Sequence, residues 1–108
     1  LAEHEAAYDL IAAVDTLCYF GDLREVVLGC ARALRTGGHM AFTVEMSEPA
    51  AAPNGYRLHP HGRYSHSEAY LLGVLTEAGL NVRIVRSAQL RIERTPVQGF
   101  VVVANRMA

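Results

Sequence analysis

The sequence is poor in the features that would assign a function quickly. It has two cysteines, Cys18 and Cys30, without C-x-x-C spacing and in apolar surroundings. This excludes a disulfide framework and a zinc half-site, and reads as two small core residues in a reducing, cytoplasmic setting. There is no run of eighteen apolar residues, so no membrane-spanning helix is expected, and the start lacks the basic-then-apolar layout of a signal peptide. Positive charge is not in excess: the formal net charge is −1, which removes any general pull toward nucleic acid. Arg83, Arg86, Arg91 and Arg94 recur at strand-like spacing and read as the solvated face of a sheet edge. No internal repeat or low-complexity tract is present.

What remains is globular. Of 108 residues, 51% are apolar and 19% charged, which suits one domain with one core, 1–108, at the small end for a doubly wound sheet. Glu3, His4 and Glu5 lead almost at once into an apolar strand, so the chain is expected to continue upstream of Leu1.

The stretch Tyr8–Phe20 organises the reading. Tyr8 to Val14 is a nearly unbroken apolar run, expected to be a central parallel strand covered on both faces, and it ends in Asp15. In open α/β sheets ligands bind beyond the carboxyl ends of the strands, which makes Asp15 a candidate site residue; the alternative is a carboxylate that only caps the turn.

Asp22 with Glu25 then predicts a helix start, and Leu23, Val26, Val27, Cys30, Ala31 and Leu34 lie on one helical face, with Arg24, Arg32 and Arg35 opposite. Gly37-Gly38 is expected to stop that helix, and His39–Met46 to be a second strand parallel to the first. Residues 47–66 carry Pro49, Pro53, Asn54-Gly55 and Pro60, and read as a long loop closing over part of the crevice. Ser65 with Glu68 predicts a second helix, with Leu71, Val74, Leu75 and Ala78 on its stripe and Gly79 as its stop. Val82–Ile92 and Gln98–Ala104 are expected to form an antiparallel hairpin turned at Thr95-Pro96, the last strand being the more buried.

This order resembles the C-terminal half of the class I S-adenosylmethionine-dependent methyltransferases. The resemblance rests on Tyr8-Asp9-Leu10-Ile11 with Asp15 and Leu17, on Ala33-Leu34-Arg35-Thr36-Gly37-Gly38, and on Gly62-Arg63-Tyr64-Ser65-His66-Ser67 followed by Glu77-Ala78-Gly79-Leu80. The last group looks like the branch often attached to tetratricopeptide repeats. The resemblance implies an α/β fold, a partial Rossmann-like sheet with local strand order 4-5-7-6 and a C-terminal antiparallel hairpin.

It also implies S-adenosylmethionine as cofactor. Val14, Asp15, Thr16 and Leu17 would border it, Asp15 and His66 would be catalytic, and Tyr19, Phe20, Arg63 and Tyr64 would face a small-molecule or protein acceptor; the alternative for Tyr19 and Phe20 is that they are simply packed. His66 has a second reading, as a residue that helps to start the second helix. The family's glycine-rich turn and its acidic ribose ligand have no counterpart here, so these residues alone are expected to bind the cofactor weakly and to be inactive. His59, His61 and His66 fit no common zinc pattern, and no metal is expected. The flank of the first strand would then be unpaired, to be covered by an upstream half or by a second copy. The competing reading is a non-catalytic α/β binding or assembly module.

Overall fold

The computed structural model describes residues 7–14, 16–48, 50, 52–60, 62–92 and 96–107. The elements are β1 (Tyr8–Ala13), α1 (Arg24–Ala33), β2 (Leu34–Met46), β3 (Tyr56–Leu58), β4 (Tyr64–His66), α2 (Glu68–Glu77), β5 (Leu80–Ile92) and β6 (Pro96–Arg106), with a 3-10 turn at Leu17–Tyr19 after β1. No helix among the described residues is long and apolar enough to cross a membrane.

The six strands form one sheet centred on β2. On one side, β6 runs antiparallel to β2 from His39↔Asn105 to Glu45↔Gly99, and β5 pairs antiparallel with β6 beyond it. On the other side, β1 pairs parallel with the first part of β2, up to Ala13↔Phe42, and β4 pairs parallel with its last two residues, Glu45↔Ser65 and Met46↔His66. The path β1-β2-β6-β5 is the expected local order 4-5-7-6, an α/β sheet ending in an antiparallel hairpin.

The core lies where α1 and α2 meet one face of this sheet. Met40, Phe42 and Val44 of β2, and Phe100, Val102 and Ala104 of β6, alternate toward Leu23, Val27, Cys30, Leu71 and Leu75, all buried. Alternation with period two along the strands and a 3.6-residue stripe along the helices are what let these faces meet. Cys18 and Cys30 are both buried, as expected of small core residues.

Several expectations need correction. β1 is not covered on both faces: among the described residues it pairs only with β2, and Tyr8, Leu10 and Val14 are exposed. The first helix ends at Ala33 rather than at Gly37-Gly38. Leu34 instead enters β2 opposite Tyr8, and the next partners are Leu10↔His39, so between them one residue of β1, Asp9, stands against four of β2, 35–38. Gly37, at φ 82°, and Gly38, whose added Cβ would lie 3.1 Å from the Asp9 carbonyl oxygen, absorb that excess. Arg35 therefore belongs to the strand, where its Nη1 donates to Asp9 Oδ2 at 3.1 Å on the surface. The carbonyls at the helix end are met from far along the chain, since Arg106 Nη1 donates to Arg32 O at 3.1 Å and to Leu34 O.

The second helix begins one turn-step later than expected: Ser67, not Ser65, is its N-cap, with Oγ accepting from Tyr70 N–H at 3.4 Å. Residues 47–66 are not one open loop, because β3 and β4 form a small antiparallel hairpin that widens the sheet. Asn54-Gly55 and Pro60 flank these short strands, and Ala52 is buried. The hairpin of β5 and β6 is present, with Pro96 opening β6; Thr95 and Arg94 lie outside the described residues, as does the side chain of Arg91. Arg83 and Arg86 are exposed on the edge strand.

Candidate functional site

β2 outruns β1. After Ala13↔Phe42 the first strand leaves the sheet, and β4 takes its place on the same edge of β2 only at Glu45. The 3-10 turn Leu17–Tyr19 follows β1 in that interval and packs against β2. Asp15 lies outside the described residues. Val14 is 65% exposed. Thr16 is also exposed, and its Oγ1 donates to Val14 O at 3.1 Å, tightening the turn. Leu17 and Cys18 turn inward and are buried, so Leu17 is a core residue in this arrangement. Tyr19 and Phe20 point outward, 63% and 44% exposed.

The hairpin β3–β4 and the first turn of α2 grip this segment from behind. His66 is fully buried, and its Nε2 lies 2.9 Å from Phe20 O and 3.1 Å from Gly21 O. Carbonyl oxygens only accept, so Nε2 carries the proton and donates to both. Nδ1 is then a buried lone pair with no hydrogen-bond partner among the described residues. Burial pushes the His66 pKa below its ordinary value, against the smaller opposing effect of the two carbonyls and of Glu45.

The Tyr70 ring stacks on His66 at 6.1 Å between centroids and 20° between planes, and Tyr56 meets Tyr70 edge-on at 5.5 Å. The Tyr70 hydroxyl accepts from Leu23 N–H at 2.9 Å and donates to Asp22 Oδ1 at 3.3 Å. Asp22 is held at a pKa of about 2, first by the side chain of Arg24, at 3.0 Å, and then by its backbone N–H.

Arg63 and Tyr64 sit in the same hairpin and are only partly exposed. Arg63 Nε donates to Glu45 Oε2 at 2.9 Å, and the two side chains are only 17% and 8% exposed, so this guanidinium is already engaged. Tyr64 packs edge-on against Tyr56 at 6.0 Å. His59 Nε2 pairs with Ser65 Oγ at 2.7 Å, and His61 lies outside the described residues. Among the described residues no three His, Cys, Asp or Glu side chains are grouped to hold a metal.

The structure thus brings together Val14, Thr16, Tyr19 and Phe20 on one exposed segment, with His66 and Tyr64 behind it rather than across from it. Sequence reading missed Tyr70, Tyr56 and Gly21, whose only signal was a concentration of tyrosines near the second helix. It also missed a groove of about 460 Å³ at the carboxyl end of β2, lined by Met46, Ser47, Glu68, Leu72, Ser87 and Phe100. That groove was findable by asking of the second strand's exit what was asked of the first.

No protein-family model matches the chain, and no curated protein matches it. Solved structures do. A SAM-dependent methyltransferase from Methanosarcina mazei superposes with a TM-score of 0.74 over 96% of this chain at 17% identity. The [4+2]-cyclase SpnF gives 0.78 over 97% at 15% identity. Geranyl diphosphate C-methyltransferase from Streptomyces coelicolor A3(2), solved with Mg2+, geranyl diphosphate and S-adenosyl-L-homocysteine, gives 0.74 over 96% at 13% identity. The fold is that of the S-adenosylmethionine-dependent methyltransferases. The chain spans 61%, 53% and 48% of these three neighbours, so it corresponds to about half to three-fifths of a methyltransferase fold of their size. At these identities the likeness concerns the methyltransferase fold and not the reaction, as the cyclase among the neighbours illustrates.

Proposed function

We propose that this chain is the C-terminal part of an S-adenosylmethionine-dependent methyltransferase and lines the side of the crevice where donor and acceptor meet. One observation carries the reading: β6 is inserted antiparallel between β2 and β5, while β1 and β2 run parallel. Two methyltransferase structures superpose on 96% of the chain that carries this arrangement.

Bound S-adenosylmethionine would supply a methyl group on a sulfonium, and the protein's task is to align it with a nucleophile and to keep water out. The described residues fit one margin of such a site. Val14 offers an open apolar surface and Thr16 an exposed hydroxyl at the strand exit. Leu17, turned into the core, supports that margin from beneath. Asp15, between Val14 and Thr16, is assigned to the sulfonium side or to a proton on the acceptor. Tyr19 and Phe20 are assigned to the acceptor wall. Arg63 and Tyr64 build the hairpin behind it. The rest of the cofactor's grip is assigned to a segment upstream.

A non-catalytic assembly module is the second reading, favoured by the exposure of Leu10 and by the edge of β1 away from β2, along which no strand pairs among the described residues. Calorimetric titration of the full-length protein with S-adenosylhomocysteine separates the two. The transferase reading expects saturable binding, weakened about tenfold or more by Asp15→Ala, or about 1.4 kcal/mol. Absence of binding at millimolar ligand would overturn it in favour of the module.

A further inference from the structure

The segment Phe20–Leu23 is gripped at every residue by groups more than forty positions away in sequence. Phe20 O and Gly21 O accept from His66 Nε2–H, the Asp22 carboxylate accepts from Tyr70 O–H, and Leu23 N–H donates to that same hydroxyl. Gly21 is pressed against two rings: an added Cβ would lie 2.7 Å from Tyr64 Cε1 and 2.9 Å from Tyr56 ring carbons. The side chains of Tyr19 and Phe20 face outward, as does the Asp22 carboxylate.

We infer that His66 and Tyr70 are positioning residues that lock this backbone so that Tyr19 and Phe20 stand as a preformed acceptor wall, and that His66 carries no proton in the reaction. The inference rests on the reading of Tyr19 and Phe20 as the acceptor wall. The geometry supports both parts. One N–H shared between consecutive carbonyls fixes the orientation of the peptide between them, which a ring free to exchange protons would not do. The remaining lone pair, on Nδ1, is enclosed, and the ring face is covered by Tyr70. A general base must come within hydrogen-bond reach of the proton it takes, and this nitrogen is closed to an acceptor in the crevice. A wall ordered before binding spares the complex the entropy of ordering it, which is the advantage of anchoring backbone while exposing rings.

Amide hydrogen exchange on the full-length protein tests this. His66→Phe keeps a stacked ring but removes the donor, and should speed exchange at the Tyr19 and Phe20 amides about tenfold. His66→Gln, whose side-chain N–H reaches the place of Nε2, should return those rates to within about threefold of the parent. In 15N spectra at about pH 8 His66 should show the Nε2–H tautomer. Unchanged exchange in His66→Phe, or an Nδ1–H tautomer, would overturn the inference. Should His66→Phe not fold, Tyr70→Phe decides: faster exchange at the Leu23 amide supports the clamp, and an unchanged rate overturns it. Calorimetry with S-adenosylhomocysteine on the same parent sample reads the underlying proposal separately. Its failure removes the acceptor role of Tyr19 and Phe20, while the exchange rates still decide whether the clamp exists.

Discussion

β2 has a long apolar strand on each side, and the two have different fates. β6 carries Phe100-Val101-Val102-Val103-Ala104, and its core-facing residues Phe100, Val102 and Ala104 are 5% exposed or less. β1 carries Tyr8-Asp9-Leu10-Ile11-Ala12-Ala13, yet Leu10 is 61% exposed and Ile11 and Ala13 are only half-buried. The difference is the number of neighbours. β6 is hydrogen-bonded on both edges and roofed by two helices on one face, whereas β1 has β2 alone among the described residues. An apolar run therefore states a need for cover; the assembly around it states whether the need is met.

Four experiments break or sharpen this contrast. The largest effect should come from Phe100→Ala, which empties the centre of the covered side and should cost about 3–5 kcal/mol, read as a lower denaturation midpoint at unchanged m-value. Gly99→Ala follows: a Cβ there meets the Val44 carbonyl oxygen and the Leu90 side chain, and should cost about 1–3 kcal/mol by the same assay.

Acid should loosen the other side of β2, where β4 holds the segment leaving β1. The folded state lowers the pKa of His66 beneath the ordinary histidine value of about 6.5, so the unfolded chain binds the proton more readily. The contribution of neutral His66 is complete above about pH 6.5 and is lost as pH falls from there toward the lower folded value. His66→Gln should flatten the dependence of thermal stability on pH across that window; an unaltered profile would remove His66 as its source. The smallest effect is expected of Leu10→Ala, within about 0.5 kcal/mol if the flank of β1 is open. In the full-length protein a cost of about 2 kcal/mol or more would instead mark that flank as covered, and so would bring β1 level with β6.

Much of the architecture was legible because it depends on near neighbours in sequence. The stripe Leu23, Val27, Cys30 and Ala31 and the stripe Leu71, Val74 and Leu75 are buried as read, and Gly79 closes the second helix at φ 83°. The element boundaries that failed depend on distant partners. Ala33 ends the first helix because Leu34 pairs with Tyr8 and because Arg106 meets the last carbonyls. Ser67 rather than Ser65 caps the second because Ser65 is pairing with Glu45 in the sheet. Of the candidate site, the place of Thr16, Tyr19 and Phe20 just beyond a strand's exit was legible, whereas the exposure of Val14 was not, because that strand was expected to be covered. The part of Tyr70 was not, since nothing local marks a tyrosine whose hydroxyl serves a backbone N–H 47 residues earlier.

By itself the sequence determined the two helices and the four longer strands, their order, and the stripe each helix must bury, because side-chain periodicity and turn chemistry act over a few residues. Only the tertiary structure decided which strand edges found partners, where α1 gives way to β2, and which nitrogen of His66 holds the proton. Those outcomes are set by hydrogen bonds between residues far apart in the chain, whose geometry exists only once the sheet has closed around β2.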